Sequence, residues 1–242
     1  MEQTPDFLAI GLIWYIVFLF STTCHEAAHS LAAKLGGDLT AFHGGQVTLN
    51  PVPHIRREPF GMVLMPILSY ALGGWMIGWA SAPYDPYWQA RHPRRAAWMS
   101  LAGPGANFAL MIIAAVCIRA GVGMDIFQPP DLANFSRITE VANPDSAGAL
   151  AKFSATFFSV LFFLNLLLGT FNLLPVPPLD GGTGVTLLMG ERTALRFLAL
   201  TNDPTFRMVG LVASWMLFGR AFDPIFTFSL NALYPGLQYG AN

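Results

Sequence analysis

Two histidines and a glutamate in the first apolar stretch have the types and spacing for metal chemistry. His25 and His29 flank Glu26 in the pattern His-Glu-Ala-Ala-His. Residues four apart share one face of a helix, so both imidazoles can reach one metal ion, while the adjacent carboxylate can reach a water on that ion. Zinc suits this set, because it accepts imidazole nitrogen and lowers the pKa of its water to about 7. The pattern predicts one zinc ion held by His25 and His29, with Glu26 as general acid and base.

A chance match is the alternative, with the histidines simply packed in a helical core. The chain has only five histidines, and this pair lies inside an apolar helix. Ionisable residues there cost about 2.5 to 3.5 kcal/mol each on insertion scales and usually mark a functional site. The metal interpretation is therefore favoured.

A catalytic zinc takes three protein ligands and leaves one position open, and Asp180 is the best candidate for the third. Three prolines, Pro175, Pro177 and Pro178, precede it, and they end the helix before it because proline lacks the N–H and clashes with the preceding turn. Gly181 and Gly182 are expected to let the loop take unusual backbone angles. An Asp-Gly pair alone is more often a plain turn, so Asp180 depends on the histidine pair for its assignment.

Composition places these residues in a membrane protein. The 242 residues are 54% hydrophobic and only 11% charged, far below the roughly 25% charged residues of a soluble domain. The net charge of −1 provides no basic surface for nucleic acid. We expect the lipid bilayer as a partner and no nucleic acid.

The apolar runs predict an all-α polytopic fold with about four spanning helices in one membrane domain over residues 1–242. The predicted spans are 7–35, 98–118, 153–174 and 208–230. A fifth apolar run, 60–80, is interrupted by Pro66, Gly73, Gly74 and Gly78.

The distribution of positive charge favours a re-entrant segment at 60–80. If this run only dips into the membrane, six basic residues share one face: Lys34, Arg56, Arg57, Arg91, Arg94 and Arg95. The more acidic loop 121–150 then lies on the other face, as the positive-inside rule prefers. His25, His29 and Asp180 also reach the same face only in this topology, which places the site near the cytoplasmic side.

The polar stretch 37–53 predicts a small β-hairpin near the active site, because Gln46–Leu49 alternates as a strand does. A substrate in extended conformation could add to this hairpin, or to the re-entrant segment, as a further strand. The stretch 184–200 mixes charged residues with leucines and predicts an amphipathic helix at the membrane interface.

Several motifs together resemble the site-2 protease family of intramembrane metalloproteases (M50). They are His25-Glu-Ala-Ala-His29, Thr48-Leu-Asn-Pro51 with His54, Gly78-Trp-Ala80, Leu101-Ala-Gly-Pro104 with Asn107, and Asn172-Leu-Leu-Pro175 with Leu179-Asp-Gly181. They cover about three quarters of the chain in the family's order and resemble its compact prokaryotic branch, without PDZ or CBS domains. One departure is Ser81-Ala-Pro83, where the family usually has Lys-Pro-Val.

The resemblance implies cleavage of a peptide bond within or near a transmembrane segment of a client protein, in regulated intramembrane proteolysis. It implies zinc on His25, His29 and Asp180, and it suggests that Asn172 contacts the substrate backbone or the developing oxyanion. Asn107 is a weaker candidate for substrate contact, since an interhelical hydrogen bond suits it better. A bacterial plasma membrane is the expected location.

Two other classes of function remain open. A metal transporter could also place histidine and aspartate in a membrane, but several ligand sets across the bilayer would be expected. A catalytically inert binder of membrane segments would more often have lost Glu26. His43 and His54 lie in polar loops and are expected to be structural.

Overall fold

The computed structural model describes residues 5–201 and 203–240, most of them helical. The helices are α1 (Pro5–Gly36), α2 (Thr40–His43), α3 (Pro51–Arg57), α4 (Met65–Gly73), α5 (Pro86–Arg91), α6 (Pro93–Gly123), α7 (Ala149–Asn172), α8 (Asp180–Gly184), α9 (Glu191–Thr201) and α10 (Pro204–Leu233). A π-helical turn, Phe60–Leu64, leads into α4, and a 3₁₀ turn, Val185–Leu188, follows α8. Two short strands, β1 (Phe127–Gln128) and β2 (Glu140–Val141), pair antiparallel.

Helices α1, α6 and α7 form the centre of the bundle. Trp14 and Phe18 of α1, Ile118 of α6 and Phe163 of α7 are almost completely buried in one apolar cluster. Lipid tails are as apolar as these side chains, so close van der Waals packing, more than removal from water, holds such helices together. The same three helices contribute most of the polar residues described below.

The all-α polytopic prediction is confirmed, with longer helices than the apolar runs alone indicate. By length and composition, α1, α6 and α7 can each cross a bilayer. Helix α10 consists of two segments, Pro204–Met216 and Phe218–Leu233, which meet at 49° and can form a fourth span together.

The apolar run 60–80 doubles back on itself. It enters as a helix that ends at Gly73, and Gly74 follows in the left-handed region at φ 74°, which glycine adopts without steric cost. The chain then returns without regular secondary structure, and the N–H of Trp79 donates a hydrogen bond to the carbonyl of Gly61 at 3.2 Å. Entry and exit therefore lie side by side, the geometry expected of a re-entrant segment.

The basic residues gather where α1 ends and α6 begins. Arg95 and the indole of Trp88 both donate hydrogen bonds to the carbonyl of Gly36, each at 3.1 Å. Arg57, at the entry of the re-entrant segment, donates to the hydroxyl of Ser81 at its exit, at 3.1 Å. The acidic loop between α6 and α7 lies at the opposite end of α6.

The prediction of a β-hairpin within 37–53 is wrong. Asp38 accepts hydrogen bonds from the amide and hydroxyl of Thr40, the first residue of α2, while Asn50 accepts one from the amide of Val52 and caps α3. The alternation at Gln46–Leu49 forms bends, because four alternating residues with no partner strand are too few to hold a sheet. In residues 5–201 and 203–240, the sheet consists of β1 with β2 and follows the end of α6 that lies away from the histidines. Strand addition through a 37–53 hairpin is excluded with it.

The amphipathic helix predicted within 184–200 forms as α9. Ala194, Leu198 and Thr201 are buried along one face, at the helical spacing of i, i+4 and i+7.

Candidate active site

Helix α1 carries His25, Glu26 and His29 on its inner side. Their exposed fractions are 8%, 5% and 7%. They precede the end of α1 at Gly36 by seven to eleven residues, which is about 10 to 17 Å along the axis at 1.5 Å per residue. The site therefore lies within the span, toward its basic end.

Asp180 reaches the histidines from the segment after α7. Helix α7 ends at Asn172, and Asp180 is the first residue of the short helix α8. The expectation for the two following glycines needs a correction, since neither has a positive φ. A β-carbon at Gly181 would instead overlap the carbonyl of Leu173, and one at Gly182 would lie 2.9 Å from the backbone nitrogen of Pro177. These glycines permit close packing of α8 on the preceding loop.

Three ligand atoms converge at one point. The Nε2 atoms of His25 and His29 are 2.9 Å apart, and Oδ2 of Asp180 lies 3.1 Å from the first and 3.3 Å from the second. Zinc bonded to nitrogen and oxygen at 2.0 to 2.1 Å in a tetrahedron requires donor atoms separated by about 3.3 Å. Among the described residues, these three form the one cluster of histidine, cysteine or acidic side chains able to hold a metal.

Both histidines present Nε2 to this point because Nδ1 is engaged elsewhere. Nδ1 of His29 lies 2.8 Å from the carbonyl of Met99, and Nδ1 of His25 lies 2.6 Å from Oδ1 of Asn107. A carbonyl oxygen only accepts, so His29 must carry its proton on Nδ1 and keep the lone pair of Nε2 free. This is the tautomer that a metal ligand needs.

One face of α6 forms the wall of the site. Met99, Gly103 and Asn107 recur every four residues and face His29 and His25. A β-carbon at Gly103 would overlap Nε2 of His29, so only glycine lets α6 pass this close to the ligand atoms.

Ser100, on the same helix, reaches the third ligand. Its hydroxyl donates a hydrogen bond to the backbone carbonyl of Asp180 at 2.8 Å. Helix α6 therefore contacts all three candidate ligands.

Two buried carboxylate oxygens lack a hydrogen-bond donor. Within 5–201 and 203–240, neither Oε2 of Glu26 nor Oδ2 of Asp180 has a hydrogen-bonding partner. Leaving such a group unsatisfied is costly. For Asp180 the unpaired atom is the one that faces the two histidines, so the donor set fits a cation at the centre. For Glu26, the unpaired oxygen can accept a hydrogen bond from a water.

The remaining site predictions have separate outcomes. Asn107 is fully buried and makes the interhelical hydrogen bonds that suit it better than substrate contact, to His25 of α1 and Asn165 of α7. Asn172 is half-buried at the end of α7 and donates one N–H to the carbonyl of Leu168. His54 lies 3.1 Å from the carbonyl of Thr48, and neither it nor His43 belongs to the metal cluster.

Sequence reasoning missed the contributions of Met99, Ser100 and Gly103 to the site. The i, i+4, i+8 spacing of Met99, Gly103 and Asn107 indicates a shared helical face. It does not indicate which helix that face meets, and Met99 acts through its backbone carbonyl, which residue type does not reveal.

Comparison with known proteins agrees with this geometry. Residues 13–217 match the family model described as Peptidase family M50. The Bacillus subtilis protein named "Putative zinc metalloprotease YwhC" is 33% identical over 177 residues, which cover 71% of this chain and 68% of that protein. The Mycolicibacterium smegmatis protein named "Putative zinc metalloprotease Rip2" is 29% identical over 176 residues, 73% of this chain and 57% of that protein. No solved structure significantly matches the chain. The chain belongs to peptidase family M50, the family of the site-2 proteases.

Proposed function

We propose that this chain is an intramembrane zinc metalloendopeptidase that hydrolyses a peptide bond within or near a transmembrane segment of a client protein. The observation that carries the proposal is the convergence of His25 Nε2, His29 Nε2 and Asp180 Oδ2 within 2.9 to 3.3 Å of one another. The names of the related proteins support zinc as the ion. The chain spans about two thirds of the first relative and somewhat over half of the second.

The proposed chemistry assigns one role to each residue. His25, His29 and Asp180 hold zinc, which when bound supplies a Lewis acid for the scissile carbonyl and lowers the pKa of a water at its open position to about 7. Glu26 takes a proton from the attacking water at its free Oε2 and delivers it to the leaving amine. The new C–O bond replaces the C–N bond, so that the products are a carboxylate and an amine.

The membrane setting follows from the spans and the charges. The site is about 10 to 17 Å along α1 from its basic end. The positive-inside rule assigns that end to the cytoplasm. We place the protein in a bacterial plasma membrane, with its active site near the cytoplasmic side and its clients in regulated intramembrane proteolysis.

Asn172 is the proposed substrate-contacting residue. One of its two amide N–H groups is used within α7, on the carbonyl of Leu168 at 3.0 Å. An asparagine amide has a second N–H, which can donate to a substrate carbonyl or to an oxyanion. The family resemblance supports this role.

Hydrolysis inside an apolar segment tests the proposal. The purified, zinc-loaded protein is mixed in detergent and in vesicles with a reporter that has one 20-residue apolar segment interrupted by glycines. Fragments are located by mass spectrometry. We expect cleavage within or beside the segment by the wild-type chain, none by Glu26→Gln, and equal zinc in the two proteins.

The contrary outcomes separate the other classes of function. Zinc-loaded wild-type protein that cleaves no member of a panel of such segments, yet retains them on a column, would identify an inert binder. Zinc uptake into sealed vesicles would identify a transporter.

A further inference from the structure

A chain of hydrogen bonds through the centre of the bundle ends on His25. Oδ1 of Asn107 on α6 lies 2.6 Å from Nδ1 of His25, and Nδ2 of Asn107 donates to Oδ1 of Asn165 on α7 at 2.8 Å. Nδ2 of Asn165 donates to the hydroxyl oxygen of Ser21 at 2.9 Å and to the carbonyl of Leu161 at 2.8 Å. Asn107, Asn165 and Ser21 are each 0% exposed.

The carbonyl of Leu161 gives this chain a direction. Because that carbonyl only accepts, the amide nitrogen of Asn165 must face it and the amide oxygen must face Asn107. Asn107 must then present its nitrogen to Asn165 and its oxygen to His25. The last contact requires a proton on Nδ1 of His25, which leaves Nε2 unprotonated and facing Asp180.

Reversing either amide would set oxygen against oxygen inside the protein. A reversed Asn107 would bring its carbonyl oxygen within about hydrogen-bonding distance of Oδ1 of Asn165 and leave that oxygen without its donor. Leaving a buried polar group unsatisfied is costly. The orientation is therefore strongly preferred although neither amide carries a charge.

We infer that Asn165 is a positioning residue for zinc binding, acting on His25 through Asn107. Neither Asn165 nor the carbonyl of Leu161 touches the candidate metal position. They determine the tautomer of a ligand on another helix. The inference rests on the proposed zinc site. It adds a residue outside that site that raises its affinity for zinc.

The two histidines differ in how their ring orientation is fixed. His29 is oriented by the backbone carbonyl of Met99, which no substitution at position 99 removes. His25 is connected to a backbone carbonyl, that of Leu161, only through the side chains of Asn107 and Asn165. Groups hydrogen-bonded to a metal ligand typically contribute 10- to 100-fold to metal affinity, and Asn165 acts through such a group, Asn107.

Zinc affinity of the full-length purified chain tests the inference. It is measured by competition with a chromophoric chelator, together with the visible absorption spectrum of the Co²⁺-substituted protein. We expect Asn165→Leu to bind zinc 10- to 100-fold more weakly and to alter the cobalt spectrum. If Asn165→Leu does not fold, Asn165→Ser, whose hydroxyl is too short to reach Asn107, takes its place with the same expected result.

Ser159→Ala is the matched control. Ser159 lies on the same helix, is also 0% exposed, and accepts hydrogen bonds from the amides of Ile138 and Thr139 away from the site. Its loss should lower thermal stability and leave zinc affinity unchanged. Equal loss of zinc affinity in Ser159→Ala and Asn165→Leu would mean that the effect is general loosening of the bundle, and would overturn the inference.

The substitution of Asn165 in a second variant background distinguishes an effect on amide orientation from an effect on helix packing. In Asn107→Asp, the carboxylate accepts from His25 in either orientation, so Asn165 no longer has to set the direction, and the second carboxylate oxygen instead faces Oδ1 of Asn165. Asn165→Leu should then cause no loss of zinc affinity in that background, whereas a purely structural role predicts the same loss in both. Unchanged affinity in Asn165→Leu alone would refute the inference and leave the zinc site intact. Absence of zinc from the wild-type chain would refute the proposed function.

Discussion

Gly103 of α6 lies against His29 of α1 so closely that a β-carbon at position 103 would overlap Nε2. The same β-carbon would lie 2.5 Å from Nε2 of His25. A glycine in mid-helix ordinarily costs about 0.5 to 1 kcal/mol relative to alanine. Here the absence of a side chain keeps open the space in front of two candidate ligand atoms.

Gly103→Ala is expected to lose zinc and proteolytic activity, because the methyl group occupies the space on which the ligand atoms converge. The control is Gly105→Ala two residues later, where a β-carbon meets no atom within 4 Å. That variant should keep its zinc and be equally or slightly more stable, since alanine favours the helix. Zinc analysis and thermal unfolding check both. Full zinc in Gly103→Ala would show that the ion does not sit between the histidines.

The re-entrant path predicts which positions face the same side of the membrane. Single cysteines replacing Arg56 and Tyr87, in a background with Cys24 and Cys117 changed to alanine, should react with an impermeant maleimide from one face of sealed vesicles. A cysteine replacing Asp145 should react from the other face. All three positions are exposed. Labelling of positions 56 and 87 from opposite faces would mean that run 60–80 crosses the bilayer completely.

The hydrogen bonds accepted by the Asp38 carboxylate predict that the folded protein loses stability in acid. Burial raises the pKa of its carboxyl, but hydrogen bonds from the hydroxyl and amide of Thr40 and from the amide of Asp85 outweigh burial and hold the pKa below its usual value of 3.8. A pKa lowered by folding contributes stability above the unfolded value, and this contribution is lost as pH falls below about 4.

Thermal unfolding of wild type and Asp38→Asn between pH 3 and pH 7 measures that contribution. The wild-type chain should be the more stable at neutral pH, and the difference should shrink on acidification. A difference that stays constant across this range would show that the charge of Asp38 contributes nothing.

The sequence predicts the helical spans and the histidine pair well because both depend on local patterns. Hydropathy identifies an apolar helix, and an i, i+4 pair necessarily shares one of its faces. The hairpin predicted at Gln46–Leu49 does not form, because hydrogen bonds to the side chain of Asp38 before α2 and the Asn50 cap of α3 favour short helices over a weak alternation.

The contributions of α6 and α7 are of a different kind. Met99 acts through its carbonyl, Gly103 through the lack of a side chain, and Asn165 through another residue. Each depends on where helices cross, and no local pattern in the chain specifies those crossings.

The zinc content of the purified chain beside its Asp180→Ala variant, both shown to be folded, tests the three-ligand site most directly. Convergence of His25, His29 and Asp180 predicts close to one zinc per wild-type chain and little in the variant, because two imidazoles alone hold the ion weakly. Equal zinc in both proteins would contradict the site and leave Asp180 as the first residue of a short helix.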